Sequence, residues 1–319
     1  MAETERTDRR IKISKAGLIA AALMACAILA ATVFTVPRFA GVFKEYRGLR
    51  QSYKTAQKEL TAAEKANAGL SQKVKEMTKM KTDSEKLSKQ VFELAAKTEQ
   101  DIIDGKSSKK ICYITLDDGP YRRGQDFLEL FRKYDVKATF FLTTANGDLL
   151  PDQADISASS VYPDYLRYGH TIGNHTYSHD YGDGGLYSDT GAFMKSVEDQ
   201  TNFTEEATGG YVPRIVRFPG GTGMAGSRLD DIEDSLRERG YTWVDWTVDS
   251  GDSWGTDVAN ATLIKSNVLD ASKEQDIMVV LFHEWSEPTL EAMPDIIDSL
   301  RGSGYIFLPL FPESVMVSK

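Results

Sequence analysis

Cysteine is nearly absent from this chain of 319 residues: Cys26 lies inside an apolar run and Cys112 at the start of a predicted strand. Two such cysteines define no disulfide framework and say little about the redox compartment. Histidine is almost as scarce, yet three of the four histidines, His170, His175 and His179, fall within ten residues. A rare residue type that clusters this closely indicates a candidate metal site.

Acidic residues are the minority in the first part of the chain, and basic residues are the minority in the rest. Residues 1–110 contain 22 Lys+Arg and 13 Asp+Glu, whereas residues 111–319 contain 16 and 34. This asymmetry indicates at least two physically different parts. The acidic balance of the second part argues against a nucleic-acid-binding surface, so we expect no nucleic-acid partner.

Charge is missing altogether from residues 16–36, AGLIAAALMACAILAATVFTV. As a helix this run is about 31 Å long, which matches a bilayer core of about 30 Å. The basic residues before it place the N-terminus in the cytoplasm and the rest of the chain outside; they are Arg6, Arg9, Arg10, Lys12 and Lys15. We predict a cytoplasmic tail at 1–15 and a single transmembrane anchor at 16–36.

Cleavage of this apolar run is the alternative. Leu23-Met24-Ala25-Cys26 resembles the cleavage box of a lipoprotein signal, and an ordinary signal peptide is a second possibility. Ten more uncharged residues follow Cys26, which makes the run longer than the apolar region of most signal peptides. The uncleaved anchor is therefore favoured.

Proline is absent from residues 44–104, and glycine occurs there only at positions 48 and 69. Residues with 3–4 spacing follow one another along this segment: Leu49, Tyr53, Ala56, Leu60, Ala63, Asn67, Leu70, Val74 and Met77, then, after a phase shift, Leu87, Val91 and Leu94. The pattern predicts a long helix with a weak coiled-coil seam. We interpret residues 37–104 as a helical stalk that pairs with itself, pairs with a partner or folds back. A lone solvated helix is the alternative.

Short β-rich runs alternate with amphipathic segments from about Lys109 onward. The predicted strands are 111–116, 138–143, 214–218, 242–248, 277–282 and 305–310, and the predicted helices include 125–134, 227–239 and 289–304. Repeated strand–helix units favour a mostly parallel α/β sheet or a slightly incomplete barrel. In such folds the functional residues lie where strands end, as Asp117, Arg217, Asp249 and His283 do here.

Two motifs carry candidate metal ligands. Asp117 and Asp118 follow the first predicted strand, although an Asp-Gly-Pro sequence is also typical of an ordinary turn. His175 and His179 are four residues apart, and on a helical turn both imidazoles would face the same way. Two histidines, one carboxylate and an open coordination position are the pattern of a hydrolytic zinc site.

Five stretches, TLDDGP, HTYSH, RFPGG, WTVDSGDSW and LFH, occur in an order that resembles the polysaccharide deacetylases (carbohydrate esterase family 4). The resemblance covers roughly residues 110–312. It implies a distorted (β/α) barrel as the catalytic domain, which we place at 105–319. It also implies a divalent cofactor, most often Zn²⁺, with Co²⁺, Ni²⁺ and Mn²⁺ as alternatives.

The first three motifs imply the metal site and the base. By resemblance Asp117 is the catalytic base, Asp118, His175 and His179 hold the metal, and Arg217 holds the base carboxylate. The family has an aromatic residue where this chain has Leu116, and another between the proline and glycine of its third motif, where this chain has Gly220 after Pro219. The resemblance implies that Pro219 and Gly220 line the substrate site; the backbone N–H of Gly220 can still serve an oxyanion, but one wall of the groove is lost.

The last two motifs imply the acid and its partner. His283 is the expected general acid, and Leu281 the expected lining of the pocket for the acetyl methyl group. Asp252 is the first choice for the carboxylate that orients His283, with Asp249 as the rival, and Trp254 is expected at the substrate. Two further residues lie nearby: Glu284 stands where the family commonly has Asp, a change expected to matter little, and His170 lies outside the motifs and is expected to be structural.

The function implied by the resemblance is metal-dependent removal of N-acetyl groups from N-acetylglucosamine residues of a polysaccharide. The predicted anchor and stalk favour a glycan of the cell envelope, with peptidoglycan as the first choice. Chito-oligosaccharide, another exported glycan and acetylxylan are the enzymatic alternatives. A catalytically inactive, membrane-anchored protein that binds glycan or acts as a scaffold is the alternative of a different class.

Overall fold

The computed structural model describes residues 36–121, 123–144, 158–182, 184–255 and 258–318. The predicted tail and, apart from Val36, the predicted anchor lie outside these ranges. Among the described residues, no helix has both the length and the apolar character needed to cross a bilayer. Contacts divide the chain into two compact units, Met1–Thr78 and Lys79–Lys319.

Helix α1, Val36–Ile103, covers nearly all of the segment predicted to be a stalk, and the role as a stalk stays a prediction. Its 68 residues contain no internal proline after the first turn and only two glycines, so nothing in the sequence interrupts the helix. Side chains of residues 48–75 are exposed, including the apolar seam positions from Leu49 to Val74. The long helix is as predicted; the coiled-coil seam stays a prediction.

The last turns of α1 pack within the second unit. The Phe92 ring meets the Phe311 ring edge-on at 5.0 Å between centroids, and Ala95 and Glu99 are buried. Ile102 packs against an apolar cluster that includes Ile111. The helix then ends at Ile103, one residue before the predicted end of the stalk at 104. These contacts tie the last three turns of the helix to the globular unit that follows.

In the described residues eight strands form one parallel sheet, seven of them in the order β5-β4-β3-β2-β1-β7-β6, with β8 paired to β1 outside this order. They are β1 Lys110–Gly119, β2 Thr139–Leu142, β3 Thr171–Asn174, β4 Ile215–Val216, β5 Thr242–Trp243, β6 Val248–Asp249, β7 Ile277–His283 and β8 Tyr305–Phe307. Strand β8 pairs with the start of β1, whereas β2 pairs with its end. One side of β1 therefore pairs with β8 and then with β2, and the other side pairs with β7.

The helices that follow α1 cover one face of the sheet. They are α2 Gly124–Tyr134, α3 Ala158–Arg167, α4 Thr190–Thr208, α5 Leu229–Glu238, α6 Ala261–Ala271 and α7 Glu287–Gly302, with a 3₁₀ segment at Thr222–Arg228. Along β1, Cys112, Ile114 and Leu116 join the core cluster beneath the helices, while Ile111 and Tyr113 join a second cluster on the opposite face. This alternation follows from the two-residue period of a strand.

The predicted α/β class is confirmed as a curled, half-barrel parallel sheet. Two local predictions were wrong. Residues 242–248 form the two short strands β5 and β6 rather than one. Strand β3 was not predicted, because its four residues TIGN include Gly173 and Asn174, which have low strand propensity.

Candidate active site

The carboxyl end of β1 presents both candidate carboxylates at one edge of the sheet. In a regular strand consecutive side chains point to opposite faces. Here the register of β1 against β2 shifts between Asp117 and Gly119, and Asp118 has a φ of 69°. This irregularity redirects Asp118, so that both carboxylates approach the same imidazole: His175 Nε2 lies 3.7 Å from Asp117 Oδ2 and 3.5 Å from Asp118 Oδ1.

Arg217, which follows β4, holds the Asp117 carboxylate. Its Nη1 donates to Asp117 Oδ1 at 3.0 Å and to Thr115 Oγ1 at 2.5 Å, and both charged side chains are buried. The other guanidinium nitrogens donate to the carbonyl oxygens of Val244 and Asp245. Because all three guanidinium nitrogens donate hydrogen bonds, the arginine holds the carboxylate in one orientation. One Asp117 oxygen is therefore bound to arginine and the other faces His175.

The two histidines converge through a loop after β3, and the predicted helical turn was wrong. Thr176 and His179 both have left-handed backbone conformations, with φ values of 64° and 46°. Asn174 stabilises this loop by accepting from the Thr176 N–H at 2.9 Å. The imidazole centroids of His175 and His179 lie 4.8 Å apart. The four-residue spacing therefore selected the pair that comes together, but the two rings converge because of the loop conformation and not because of a helix.

The tautomer of His175 follows from its partner. Its Nδ1 lies 2.8 Å from the carbonyl oxygen of Arg217, which can only accept, so Nδ1 carries the proton. The Nε2 lone pair is then free to bind a metal, which is the usual arrangement of a histidine ligand. Burial lowers the pKa of His175, which keeps the ring neutral as metal binding requires.

Asp118, His175 and His179, which we call the metal group, have ligand atoms that all lie within 4.8 Å of one another. Asp118 Oδ1 is 3.0 Å from His179 Nε2. Burial alone would raise the pKa of Asp118, but the hydrogen bond with His179 and the nearby imidazoles lower the pKa below its usual range. One ionised carboxylate and two imidazole nitrogens are a donor set that fits Zn²⁺ with an open position.

His283 ends β7 directly beside Asp117, its register partner on β1. Its Nδ1 lies 2.7 Å from Asp252 Oδ1, while Asp252 Oδ2 accepts from the His283 N–H and from Thr289 Oγ1. Burial alone would lower the pKa of His283, but the hydrogen bond and charge of Asp252, with the charges of the two β1 carboxylates, raise it to about 9. The imidazole is protonated at neutral pH.

Asp249, the rival of Asp252, does not contact His283. Its carboxylate accepts from the Gly251 N–H at 2.8 Å and from the Trp254 indole N–H at 3.2 Å. Trp254 is 54% exposed, so its ring lies at the rim of the sheet. Asp249 therefore orients Trp254, and Asp252 orients His283.

The remaining predicted substrate residues lie along the same edge. Gly220 has a φ of 72°, and a Cβ there would meet the Met224 side chain at 2.9 Å. Tyr187 donates its hydroxyl to the Pro219 carbonyl at 2.8 Å. Leu281 is buried on β7 and pairs with Asp249 of β6. Met224 thus takes part of the space that a side chain at position 220 would occupy.

The two residues that follow His283 were given no role at the site by the sequence analysis. Glu284, whose change from Asp was expected to matter little, is fully buried, and its carboxylate accepts from the Tyr121 N–H at 2.7 Å and the Tyr165 hydroxyl at 2.9 Å. Burial raises the pKa of Glu284 to about 7. The Trp285 indole N–H donates to Asp118 Oδ2 at 3.0 Å. Their adjacency to His283 was the only available signal.

His170 lies away from this group, as expected. It is buried against the rings of Phe131 and Phe140, and its Nδ1 accepts from the Ala138 N–H at 3.1 Å. Burial lowers the pKa of His170 to about 3, so the ring is neutral. This hydrogen bond joins Ala138, just before β2, to His170, just before β3.

Known proteins with similar sequences include polysaccharide deacetylases. The sequence profile of the polysaccharide deacetylase family matches residues 104–244. A peptidoglycan-N-acetylglucosamine deacetylase of Bacillus cereus is 29% identical over 222 residues, covering 68% of this chain and 75% of that protein. A chitin deacetylase of Colletotrichum lindemuthianum is 30% identical over 200 residues, covering 60% and 74%.

A solved structure has the same fold. The catalytic domain of a peptidoglycan N-acetylglucosamine deacetylase from Eubacterium rectale superposes with a TM-score of 0.58 at 31% identity, covering 66% of this chain and 92% of that one. The similarity therefore extends over nearly the whole of that catalytic domain.

Proposed function

The chain belongs to the polysaccharide deacetylase family, a family of hydrolases, and we propose that it removes N-acetyl groups from N-acetylglucosamine residues of a cell-envelope polysaccharide in a metal-dependent reaction. The observation that carries the proposal is the grouping of Asp118, His175 and His179 beside the buried carboxylate of Asp117, whose neighbour on β7 is His283. Peptidoglycan is the proposed polymer.

Asp117 is the proposed base. Because Arg217 holds one carboxylate oxygen, the other, 3.7 Å from His175 Nε2, faces the place where water would react. A bound divalent cation would lower the pKa of that water and polarise the acetamide carbonyl. Asp117 takes the proton as the water oxygen attacks the carbonyl carbon. The Gly220 N–H is the proposed donor to the developing oxyanion.

His283 is the proposed acid. The C–N bond breaks only when the departing nitrogen is protonated, because an amide anion is a poor leaving group. Asp252 keeps His283 charged near neutral pH, and Thr289 holds Asp252 in place. Transfer of the His283 proton to nitrogen releases a free amine on the sugar, and the acyl part leaves as acetate. The arrangement of base and acid on neighbouring strands supports this division of roles.

The polymer is proposed from two sources. Relatives named for peptidoglycan and for chitin are similar to this chain in sequence, and a solved structure named for peptidoglycan has the same fold. We propose that the apolar run at 16–36 anchors the chain in the cell membrane, N-terminus in the cytoplasm, and that the helix through 104 is a spacer capable of self-association. That topology would present the catalytic domain to an extracytoplasmic glycan, which favours peptidoglycan over chito-oligosaccharide or acetylxylan.

Acetate release from the full-length chain tests the proposal. Peptidoglycan and N-acetylglucosamine oligomers are the substrates, with an acetylated xylan in parallel. We expect release from the N-acetylated substrates that a chelator abolishes and added Zn²⁺ restores. Release from xylan alone would contradict the proposed amide substrate. Glycan binding without release, unaffected by chelator, would instead support the inactive scaffold.

A further inference from the structure

The two residues after His283 contact the Asp117–Tyr121 segment at three points. The Glu284 N–H donates to the Asp117 carbonyl at 3.0 Å, and the Tyr121 N–H donates to Glu284 Oε1 at 2.7 Å. The Trp285 indole N–H donates to Asp118 Oδ2 at 3.0 Å. Consecutive residues at the end of β7 therefore hold the backbone on both sides of Asp118 and one of its carboxylate oxygens.

Trp285 and the imidazoles contact different oxygens of the Asp118 carboxylate. The indole binds Oδ2, whereas the ring nitrogens of His179 and His175 approach Oδ1 at 3.0 and 3.5 Å. The Trp285 ring also lies 5.1 Å from the His283 ring, tilted by 35°. One side chain thus touches the carboxylate of the metal group and the proposed acid, while leaving the oxygen that faces the imidazoles in place.

We propose that Trp285 is a positioning residue that sets the orientation of Asp118 for metal binding, and that Glu284 positions the backbone that carries Asp118. This inference rests on the proposed metal-dependent function. Partners that hydrogen-bond a metal ligand typically change metal affinity 10–100-fold when removed. Asp118 needs such help because its left-handed backbone and the shifted strand register leave it outside the regular ladder.

The length of Glu284 matters in this role. A Cβ at Gly119 or at Gly124 would lie 2.2 Å from a carboxylate oxygen of Glu284. The two glycines therefore leave the space that this long side chain occupies. There it reaches both the Tyr121 N–H and the Tyr165 hydroxyl. Aspartate is one methylene shorter and cannot reach both from the same backbone. Glutamine keeps the length: its oxygen can accept from Tyr121 and its amide can donate to the Tyr165 oxygen.

The test of Trp285 is Trp285→Phe in the full-length chain, which keeps a ring beside His283 and removes the indole N–H. Zn²⁺ affinity is measured by competition with a chromophoric chelator, and thermal unfolding of the metal-free protein is followed in parallel. Trp254→Phe is the matched control, because it removes an indole hydrogen bond to Asp249, which lies outside the metal group.

We expect Trp285→Phe to weaken Zn²⁺ binding 10–100-fold with an unchanged melting temperature of the metal-free protein, and Trp254→Phe to leave the affinity unchanged. Equal affinities of Trp285→Phe and wild type would overturn the inference and leave the proposed function standing. A wild-type chain that binds no Zn²⁺ would overturn both. A loss of affinity that is equally large in Trp254→Phe would show a general effect and also overturn the role of Trp285.

Two substitutions separate length from charge at position 284. We expect Glu284→Gln to keep wild-type Zn²⁺ affinity and Glu284→Asp to lose it, again about 10–100-fold. If Glu284→Asp unfolds, Tyr165→Phe serves instead, since it removes only the hydroxyl that fixes the Glu284 carboxylate. Wild-type affinity in Glu284→Asp or, where that variant unfolds, in Tyr165→Phe would contradict the positioning role of Glu284.

Discussion

Strand β1 carries one buried carboxylate, Asp117, near its carboxyl end and contacts another, Glu99 of helix α1, nearer its amino end, and the two have different kinds of partner. At its carboxyl end Asp117 receives a charged guanidinium and faces an imidazole. Near its amino end the Tyr113 hydroxyl donates to Glu99 of helix α1, which also accepts from the Val315 N–H at 3.1 Å. Asp117 has a charged partner, whereas the donors of Glu99 are neutral.

The difference separates the end of β1 that carries the proposed active site from the end that packs against helix α1. Around Tyr113 the inward face of the sheet is apolar, and Glu99 joins it to the long helix. Around Asp117 the same face is lined by ionisable side chains that leave one carboxylate oxygen directed at the metal group. A buried carboxylate is thus no sign of catalysis by itself; its partners decide its role.

Asp118→Asn should have the largest effect on activity. The amide keeps the size of the side chain and can still accept from Trp285, but it removes the anionic ligand from the metal group. We expect loss of Zn²⁺ binding and of acetate release together, measured by metal analysis and product assay. Retained stoichiometric Zn²⁺ would contradict the assignment of this residue as a ligand.

Asp117→Asn should lower turnover by about 10²–10⁴-fold while Zn²⁺ stays bound, because the base is lost and the metal group is intact. The change also leaves buried Arg217 without its counter-charge, which costs about 3–5 kcal/mol of unfolding free energy. The assay is therefore made at a temperature where circular dichroism shows the variant folded. Full turnover in a folded, metal-loaded variant would refute the role as base.

Asp252→Asn should shift the basic limb of the pH–activity profile to lower pH. With the pKa of His283 at about 9, the imidazole is charged below that pH, so activity that needs the acid falls as pH rises through about 9. Asparagine removes the charge that raises this pKa and leaves burial, which lowers it. We expect the basic limb of kcat against pH to shift downward. An unchanged limb would exclude His283 as the titrating acid.

Glu99→Gln should leave kcat unchanged and lower only stability. The Tyr113 hydroxyl and the Val315 N–H both donate to Glu99 Oε1, and a neutral amide oxygen accepts these two hydrogen bonds more weakly than a carboxylate oxygen does, at a cost of about 1–3 kcal/mol. Denaturant unfolding of the variant and wild type measures this. A fall in kcat comparable to that of Asp117→Asn would erase the distinction between the two ends of β1.

The sequence predicted the metal group better than it predicted its geometry. The spacing of His175 and His179 selected the right pair, but the pair lies on a loop with two left-handed residues, which no helical periodicity reports. Between Asp249 and Asp252 the sequence left a choice, because both follow the same strand region. Only hydrogen bonds in the folded chain separate them.

The amino-acid sequence by itself determined the α/β alternation, the long helix and the order of the motifs, because these follow from local periodicity and from residue type at strand ends. Tertiary structure decided which oxygen of each carboxylate faces the imidazoles, and that Glu284 and Trp285 support Asp118. It also decided that the end of α1 packs within the globular unit. Those outcomes depend on contacts between residues distant in the chain, which a pattern within one segment does not encode.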